Sequence, residues 1–250
     1  MEEEIFAILI QRGNELFQAP RHLIDFTDNE NANNLLNNLE EFPHAFVMGC
    51  LLNRLTKART VVWNIPYLLS EELGGFTFEQ LANMEEEAFI NRISNLRIHL
   101  RLNIMANDSF EAIEIIENEY NGNANNIWNN NPSSALVVYR FLRFPGIKQK
   151  IATMATNILA RNFKVPFSDH YSIDISVDRH VKRVFKRLKL VRDDADDLEI
   201  IYKARAKNPN YPGILDFSIW EIGSNWCFEN NPSCEHCYLN QYCDYRNNIA

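Results

Sequence analysis

The 250 residues predict an all-α protein, and three observations carry that prediction. Apolar residues recur at helical spacing through most of the chain, strand-like alternation is sparse, and the strongest turn signals fall between helical stretches. No repeat of fixed period is evident.

The elements follow in order. Ile5 to Phe17 and Ala45 to Leu55 place apolar residues at helical spacing, as do Val61 to Leu73 and Phe110 to Tyr120. Pro66 is the expected break in the third of these. Thr77-x-x-Gln80 reads as a capping box that opens a helix at Phe78. Apolar helices are expected over Ala135 to Leu142 and Gln149 to Ala160, and another over Gly213 to Ile222. Pro212 marks the first turn of that last helix and Gly223 its end. The asparagine runs NANNLLNN and NGNANNIWNNN read as loops or polar helix faces that reflect composition more than function.

Composition bounds the class. The chain is long enough to bury a substantial core. No apolar run approaches the roughly 20 residues of a membrane span, and the acidic start MEEE is unlike a secretory signal, so an intracellular protein off the membrane is expected. The net charge of −8 is segregated. Residues 143–192 hold twelve Lys or Arg against three Asp, leaving −17 for the rest. Within that stretch Arg179 to Arg192 has seven basic residues and no acid. Such segregation can focus positive potential on one cleft for a polyanion. A helix with a solvated basic face is the alternative.

Cys227, Cys234, Cys237 and Cys243 are spaced C-x6-C-x2-C-x5-C. Four soft thiolates complete the iron coordination of one [4Fe–4S] cube, and the loops between them are long enough to wrap one. A zinc ribbon is the first alternative, although it would normally show two C-x2-C knuckles where this chain has one. Disulfides are another, but they need no such compact spacing and would leave Cys50 over.

Phe144-Pro145-Gly146-Ile147-Lys148-Gln149-Lys150-Ile151-Ala152 joins two predicted helices through a Pro-Gly turn. Such a hairpin aims unpaired N–H groups at the start of its second helix, where they and the helix dipole favour a phosphate. Further on stands Val177-Asp178-Arg179-His180-Val181-Lys182-Arg183-Val184.

The cysteine spacing, the hairpin and this V-D-x-H segment together resemble the iron–sulfur endonuclease III branch of the helix-hairpin-helix DNA glycosylases. Ile222-Gly223 before the first cysteine and Asp244-Tyr245 after the last add to the likeness, which is strong over about residues 135–245 and thin before them. It implies two lobes: residues 35–168, with the hairpin at about 135–160, and residues 1–34 with 169–250, carrying a [4Fe–4S] loop at 227–243. It implies further a monomeric DNA-repair glycosylase acting on duplex DNA with a damaged or modified base. Oxidised pyrimidines are the default substrate, with oxidised purines, alkylated bases and a mismatch as the alternatives.

The resemblance assigns residues as well. Lys150 falls where members that also nick the strand carry lysine. A lysine in a helix's first turn meets an unfavourable dipole, and burial in a cleft would further favour the neutral amine that attacks sugar C1′. A phosphate contact is its other reading. Asp178 falls on the family's carboxylate, which can stabilise the cationic sugar or relay a proton. It would also cap the basic helix. DNA contacts are expected from Pro145, Gly146, Ile147 and Lys148, and from Arg179, His180 and Arg183. Asn53 and Arg54 are candidates to fill the gap left by an extruded base. His180 reads equally well as a structural residue, and Asp174 as purely structural.

Departures from the family pattern are plain. Lys148 stands where the hairpin normally has a second glycine. The separation of Lys150 from Asp178 is 28 residues, longer than in relatives, with Lys164 to Ile173 as the extra segment. Phe167, His170 and Tyr171 of that segment would gate an extruded base, or else belong to a plain surface loop. The cluster loop Phe228 to Ser233 lacks basic residues. The rival functions are a non-catalytic iron–sulfur DNA-binding protein, a glycosylase without lyase activity, and a redox or iron-sensing protein.

Overall fold

The computed structural model describes residues 1–21, 23–54, 59–96 and 102–249. They form α1 (Glu2–Gln18), α2 (Glu30–Asn37), α3 (Pro43–Leu52), α4 (Arg59–Trp63), α5 (Ile65–Leu73), α6 (Phe78–Ala82), α7 (Glu86–Asn95) and α8 (Leu102–Tyr120). After a 3-10 turn at Ala124–Ile127 come α9 (Ser134–Leu142), α10 (Gln149–Arg161), α11 (Arg179–Arg187), α12 (Asp197–Lys207), α13 (Ile214–Asn225) and α14 (Asp244–Ile249). The fold is all-α, with no strand among the described residues.

Local chemistry explains most boundaries. Ser133 caps α9 through Leu136 N, and the Thr77–Gln80 capping box forms in both directions. Pro66 does not break a helix. The break falls at Asn64, and Pro66 occupies the first turn of α5, where its missing N–H leaves no bond unmade. Leu55, the expected end of α3, lies outside the described residues, and α3 ends at Leu52. The late helix also differs from expectation. Gly213 is its N-cap, Pro212 precedes it, and Gly223 lies inside. A Cβ on Gly223 would sit 2.6 Å from His180 Cβ, so this glycine serves the close crossing of α11 and α13 rather than helix termination.

Two aromatic-rich regions hold the elements together. Phe46 of α3 packs against Trp63, Trp128 and Phe163. Buried rings of this size each contribute about 1.5–3 kcal/mol of transfer free energy. The second region begins with α1 on α13, where Gly13 allows contact: a Cβ there would lie 2.3 Å from the Ile214 carbonyl oxygen. Arg12 closes the same pair on Glu221 at 2.7 Å, and Lys203 and Lys207 of α12 reach Glu2. The N-terminal helix is thereby fastened to the C-terminal part of the chain.

The asparagine-rich stretch has a structural use that composition concealed. Asn29 caps α2, and the buried side chains of Asn33 and Asn37 each bond both ways with backbone. Asn33 accepts from Thr27 N and donates to Thr27 O; Asn37 does the same with Ile24. An amide side chain copies the donor–acceptor pair of a peptide group, so these two residues fix the irregular segment 23–27 without a strand.

Candidate active site

The hairpin forms between α9 and α10. Gly146 takes φ +69°, and a Cβ there would fall 1.3 Å from the Arg54 guanidinium. That guanidinium is held by Asp108 at 2.5 Å and by the Leu51 carbonyl at 2.7 Å, which makes Arg54 a brace over the turn. Among the described residues the backbone amides of Gly146, Lys148, Gln149 and Lys150 donate to no protein acceptor, and Lys148, the N-cap of α10, makes no side-chain cap bond. Pro145 is partly buried, Ile147 buried and Lys148 exposed. Gly146→Ala should combine left-handed strain with displacement of Arg54, destabilising the protein by about 1–3 kcal/mol and weakening duplex binding. A thermal melt paired with a binding titration checks it.

Lys150 lies in the first turn of α10, is exposed, and has no ion-pair or hydrogen-bond partner among the described side chains. The burial foreseen for it is absent, since neither flanking element covers this face. Two bonds tie its turn to the segment that ends at Asp178. Gln149 Nε2 donates to Asp174 at 3.1 Å, and the Thr153 and Ser176 hydroxyls are 3.5 Å apart. Asp174 is buried and held bidentately by Arg205 at 2.7 and 2.8 Å, which makes that segment a fixed rail. Asp178 caps α11, its Oδ1 accepting from the amides of His180 and Val181, both at 2.8 Å.

A cavity of about 430 Å³ opens further along α10, and neither Lys150 nor Asp178 is among its lining residues. Met154, Asn157 and Arg161 line it from α10, continuing the Lys150 face at helical spacing. Asp216 and Trp220 line it from α13, and Asn53 from the end of α3. Phe26 and Trp63, stacked at 4.5 Å between centroids, form an aromatic wall. Asn53 also donates to Met154 Sδ at 3.3 Å. Tyr211 donates to Asn157, which donates in turn to Gly213 O and, at 3.5 Å, to Asp216.

Burial, with the charge of Asp178 next, pushes the Asp216 carboxyl up to about 7, opposed by bonds from Ser176 and Asn157. A carboxyl raised from its ordinary 3.8 keeps its proton in the fold while the unfolded chain has lost it. Its contribution to stability therefore falls as pH rises from about 4 to about 7. Arg161, Tyr211 and Asp178 are the other ionisable groups around it. Asp216→Asn should gain on the wild type by about 1–3 kcal/mol between pH 5 and pH 8, read by melts of both proteins at each pH. An unchanged difference would contradict a protonated Asp216.

Much of the basic helix is committed to the protein itself. Arg183 donates to Cys227 O at 2.6 Å and Gly223 O at 2.9 Å, and His180 Nδ1 pairs with Gly223 O at 2.8 Å. Arg187 donates to Phe228 O and Glu229 O. Lys182 pairs with Asp197, Lys189 with Asp193, and Arg192 with Glu199. Arg179 stays exposed, with no such partner among the described residues. His180 and Arg183, expected at DNA, thus stand as the clamp of the cysteine loop.

Cys227, Cys234, Cys237 and Cys243 line one cavity with Val184, Leu188, Ile222 and Leu239. Burial pushes the Cys237 thiol up to about 11 and that of Cys234 upward, so a metal would compete with protons for these sulfurs. Among the described residues no three His, Cys, Asp or Glu side chains form a ligand set for a single ion. Four thiols converging on an apolar pocket are nonetheless the donor set that a cluster of iron and sulfide takes.

The extra segment is a packing element. His170 lies tilted against Tyr211 at 4.6 Å and meets Phe17 edge-on, Asp169 accepts from Ser134, and Lys164 donates to Phe17 O. Phe167 is buried, Tyr171 is exposed, and neither lines the cavity. Sequence reasoning missed Asn157, Arg161 and Asp216. The first two sit seven and eleven residues beyond Lys150, a helical spacing that was readable, and Asp216 is an isolated acid in an apolar run.

Comparison with known proteins agrees with this geometry. No family model matches the chain. It is 31% identical over 108 residues to endonuclease III of Rickettsia felis, and 28% identical over 104 residues to that of Thermotoga maritima. Each match covers 42% of this chain, and 45% and 44% of the relatives, so it spans less than half of their length. Solved structures match over the whole chain. A trapped endonuclease III–DNA covalent intermediate has a TM-score of 0.63 at 18% identity, covering 99% of this chain and 98% of that one. A non-covalent endonuclease III–DNA complex gives 0.63 at 20%, covering 100% and 98%, and a thermostable thymine-DNA glycosylase 0.59 at 14%, covering 99% and 97%. By its fold the chain is similar to endonuclease III and to a thymine-DNA glycosylase, and over the matched stretch its sequence is similar to endonuclease III.

Proposed function

We propose that this protein removes a damaged or modified base from duplex DNA and nicks the resulting abasic strand through Lys150. The observation that carries this reading is the junction of hairpin and rail. Lys150 is the last of the run of free hairpin amides, and Gln149 and Thr153 on either side of it are bonded to Asp174 and Ser176, just before Asp178. DNA would cross between the lobe of residues 35–168 and the lobe of 1–34 with 169–250, as one protomer on one lesion, and the protein would work in the compartment that holds the DNA. No described helix is long and apolar enough to cross a membrane.

The roles follow from position. The hairpin amides and Lys148 hold one phosphate, and Arg179 a second. The extruded base enters the cavity, and Asn53 stands at its rim to fill the gap. Asp178 has one oxygen occupied by its cap bonds, which leaves the other to face the cationic sugar as the glycosidic bond breaks. The Lys150 amine then attacks C1′ to form a Schiff base, with DNA supplying the cover that this exposed side chain lacks. Cys227, Cys234, Cys237 and Cys243 would hold a [4Fe–4S] cluster, which supplies structural cross-linking of loop 227–243 and no chemical step.

Duplexes carrying a panel of damaged bases test the reading. The expected result is an alkali-labile site at one class of lesion, with base release about 10²- to 10³-fold slower in Asp178→Asn. Binding without base release on every lesion would favour a non-catalytic DNA-binding protein. The exposure of Lys150 favours one second reading, base removal without nicking, in which alkali-labile sites form but no strand breaks without alkali.

A further inference from the structure

Arg161 ends α10 and lines the cavity, and its surroundings are unusual for an arginine. Its guanidinium lies 4.5 Å from the centre of the Phe217 ring, and its Nε is buried with no hydrogen-bond partner. Among the described residues it donates no hydrogen bond and forms no ion pair. An arginine has five N–H donors in a planar fork, and leaving a buried one unmet, as this Nε–H is, is costly. Burial lowers its pKa, against the pull of Asp216. The C-terminal end of a helix favours a cation, which explains how the site tolerates the charge but gives its donors no partner.

The wall opposite supplies the complement. Asp216 lines the same cavity, held from behind by Asn157 and Ser176. Phe26 and Trp63, buried and stacked on each other, back the same cavity with apolar rings. Arg161 lies eleven residues beyond Lys150, about 16 Å along the helix axis, and helical side chains lean back toward the N-terminus. Its fork therefore reaches the far edge of a base whose sugar stands near Lys150.

We propose that Arg161 and Asp216 read the outer edge of the extruded base, and that they select a lactam edge, an adjacent C=O and N–H. Arg161 donates to the carbonyl oxygen, and Asp216 accepts from the ring N–H. Uracil-, thymine- and guanine-derived lesions carry that edge. Adenine- and cytosine-derived lesions present an amine and a bare ring nitrogen, which would leave Arg161 unmet, and a cationic alkylated base would be repelled by it. The inference rests on the glycosylase reading.

The test uses two duplexes that differ at one exocyclic group, with 5-hydroxyuracil or 5-hydroxycytosine at the same position, and a third with an abasic site. Wild-type protein should excise 5-hydroxyuracil with kcat/KM about 10- to 100-fold above 5-hydroxycytosine, the range of one bidentate contact. Arg161→Gln should bring that ratio close to one while borohydride trapping on the abasic duplex stays within twofold. Arg161→Lys keeps the charge and the stem over Phe217 but loses the fork, and should also lose most of the ratio. An unchanged ratio in either folded variant overturns the proposal. So does trapping that falls in step with excision, which would make Arg161 a structural helix end. Trapping by the wild type without excision of either base sinks the edge reading alone, whereas neither trapping nor excision sinks it together with the glycosylase reading.

Discussion

Lys150→Ala should lose strand nicking and covalent trapping on abasic DNA by at least about 10³-fold, because among the described residues no second amine shares its place between the hairpin and Asp178. Lys148 is two residues away but is the N-cap of α10, on the side of the hairpin amides that face a phosphate. Lys164 is occupied at the Phe17 carbonyl, and Lys182 is paired with Asp197. Base removal should be hit less severely if Asp178 can still stabilise the sugar cation for attack by water. The fold should be untouched, since the Lys150 side chain is exposed and without partners. Melting of the variant within a degree or two of the wild type, beside lost trapping, would separate chemistry from stability. Lys148→Ala makes the contrast: weaker binding at higher salt with trapping retained once DNA is saturating.

The second large effect belongs to the cysteines. Cys237→Ser should destabilise the protein by at least about 5 kcal/mol, roughly 10–20 °C in Tm for a chain of this size. The reason is connectivity. Loop 227–243 contains only two short 3-10 turns, and it is attached to the rest through Arg183, Arg187, the Tyr238 hydroxyl on Ser218 O, the buried Leu239 and the four sulfurs. Without a cluster the thiols would enclose only an apolar cavity, and a Cys→Ser change there would cost nearer 1 kcal/mol. Visible absorbance of the purified protein, iron and sulfide content, and melts of wild type and variant decide between these outcomes. A zinc site would show metal without sulfide or colour.

Much of the fold was legible because its signals are local. The Thr77–Gln80 box and Asp178 ahead of a basic run are caps, and each needs only its own neighbours to act. Pro66 and Gly223 were misjudged for the opposite reason. A proline reads as a break or a start depending on where the preceding helix ends, and Gly223 is required by the His180 side chain on another helix. The candidate site divides the same way. Lys150 and Asp178 are candidates that a motif singles out, whereas which of the surrounding cations remain free is not legible in any motif. Arg183 and Arg54 look alike in sequence to Arg179, and only tertiary contacts show that the first two are spent on Cys227 O and Asp108 while the third is exposed. The buried asparagines make the point again, since Asn33 and Asn37 shape the cavity's edge from within a stretch that looked like compositional bias.

Where the adduct forms is the most direct test of the whole account. Wild-type protein is trapped with borohydride on an abasic duplex, digested with protease and nuclease, and the modified peptide is sequenced by mass spectrometry. The account predicts a single deoxyribose remnant on Lys150. An adduct on Lys148, on the N-terminal amine or on any other lysine would contradict it, and the assignment of the hairpin–rail junction as the catalytic centre would have to be abandoned.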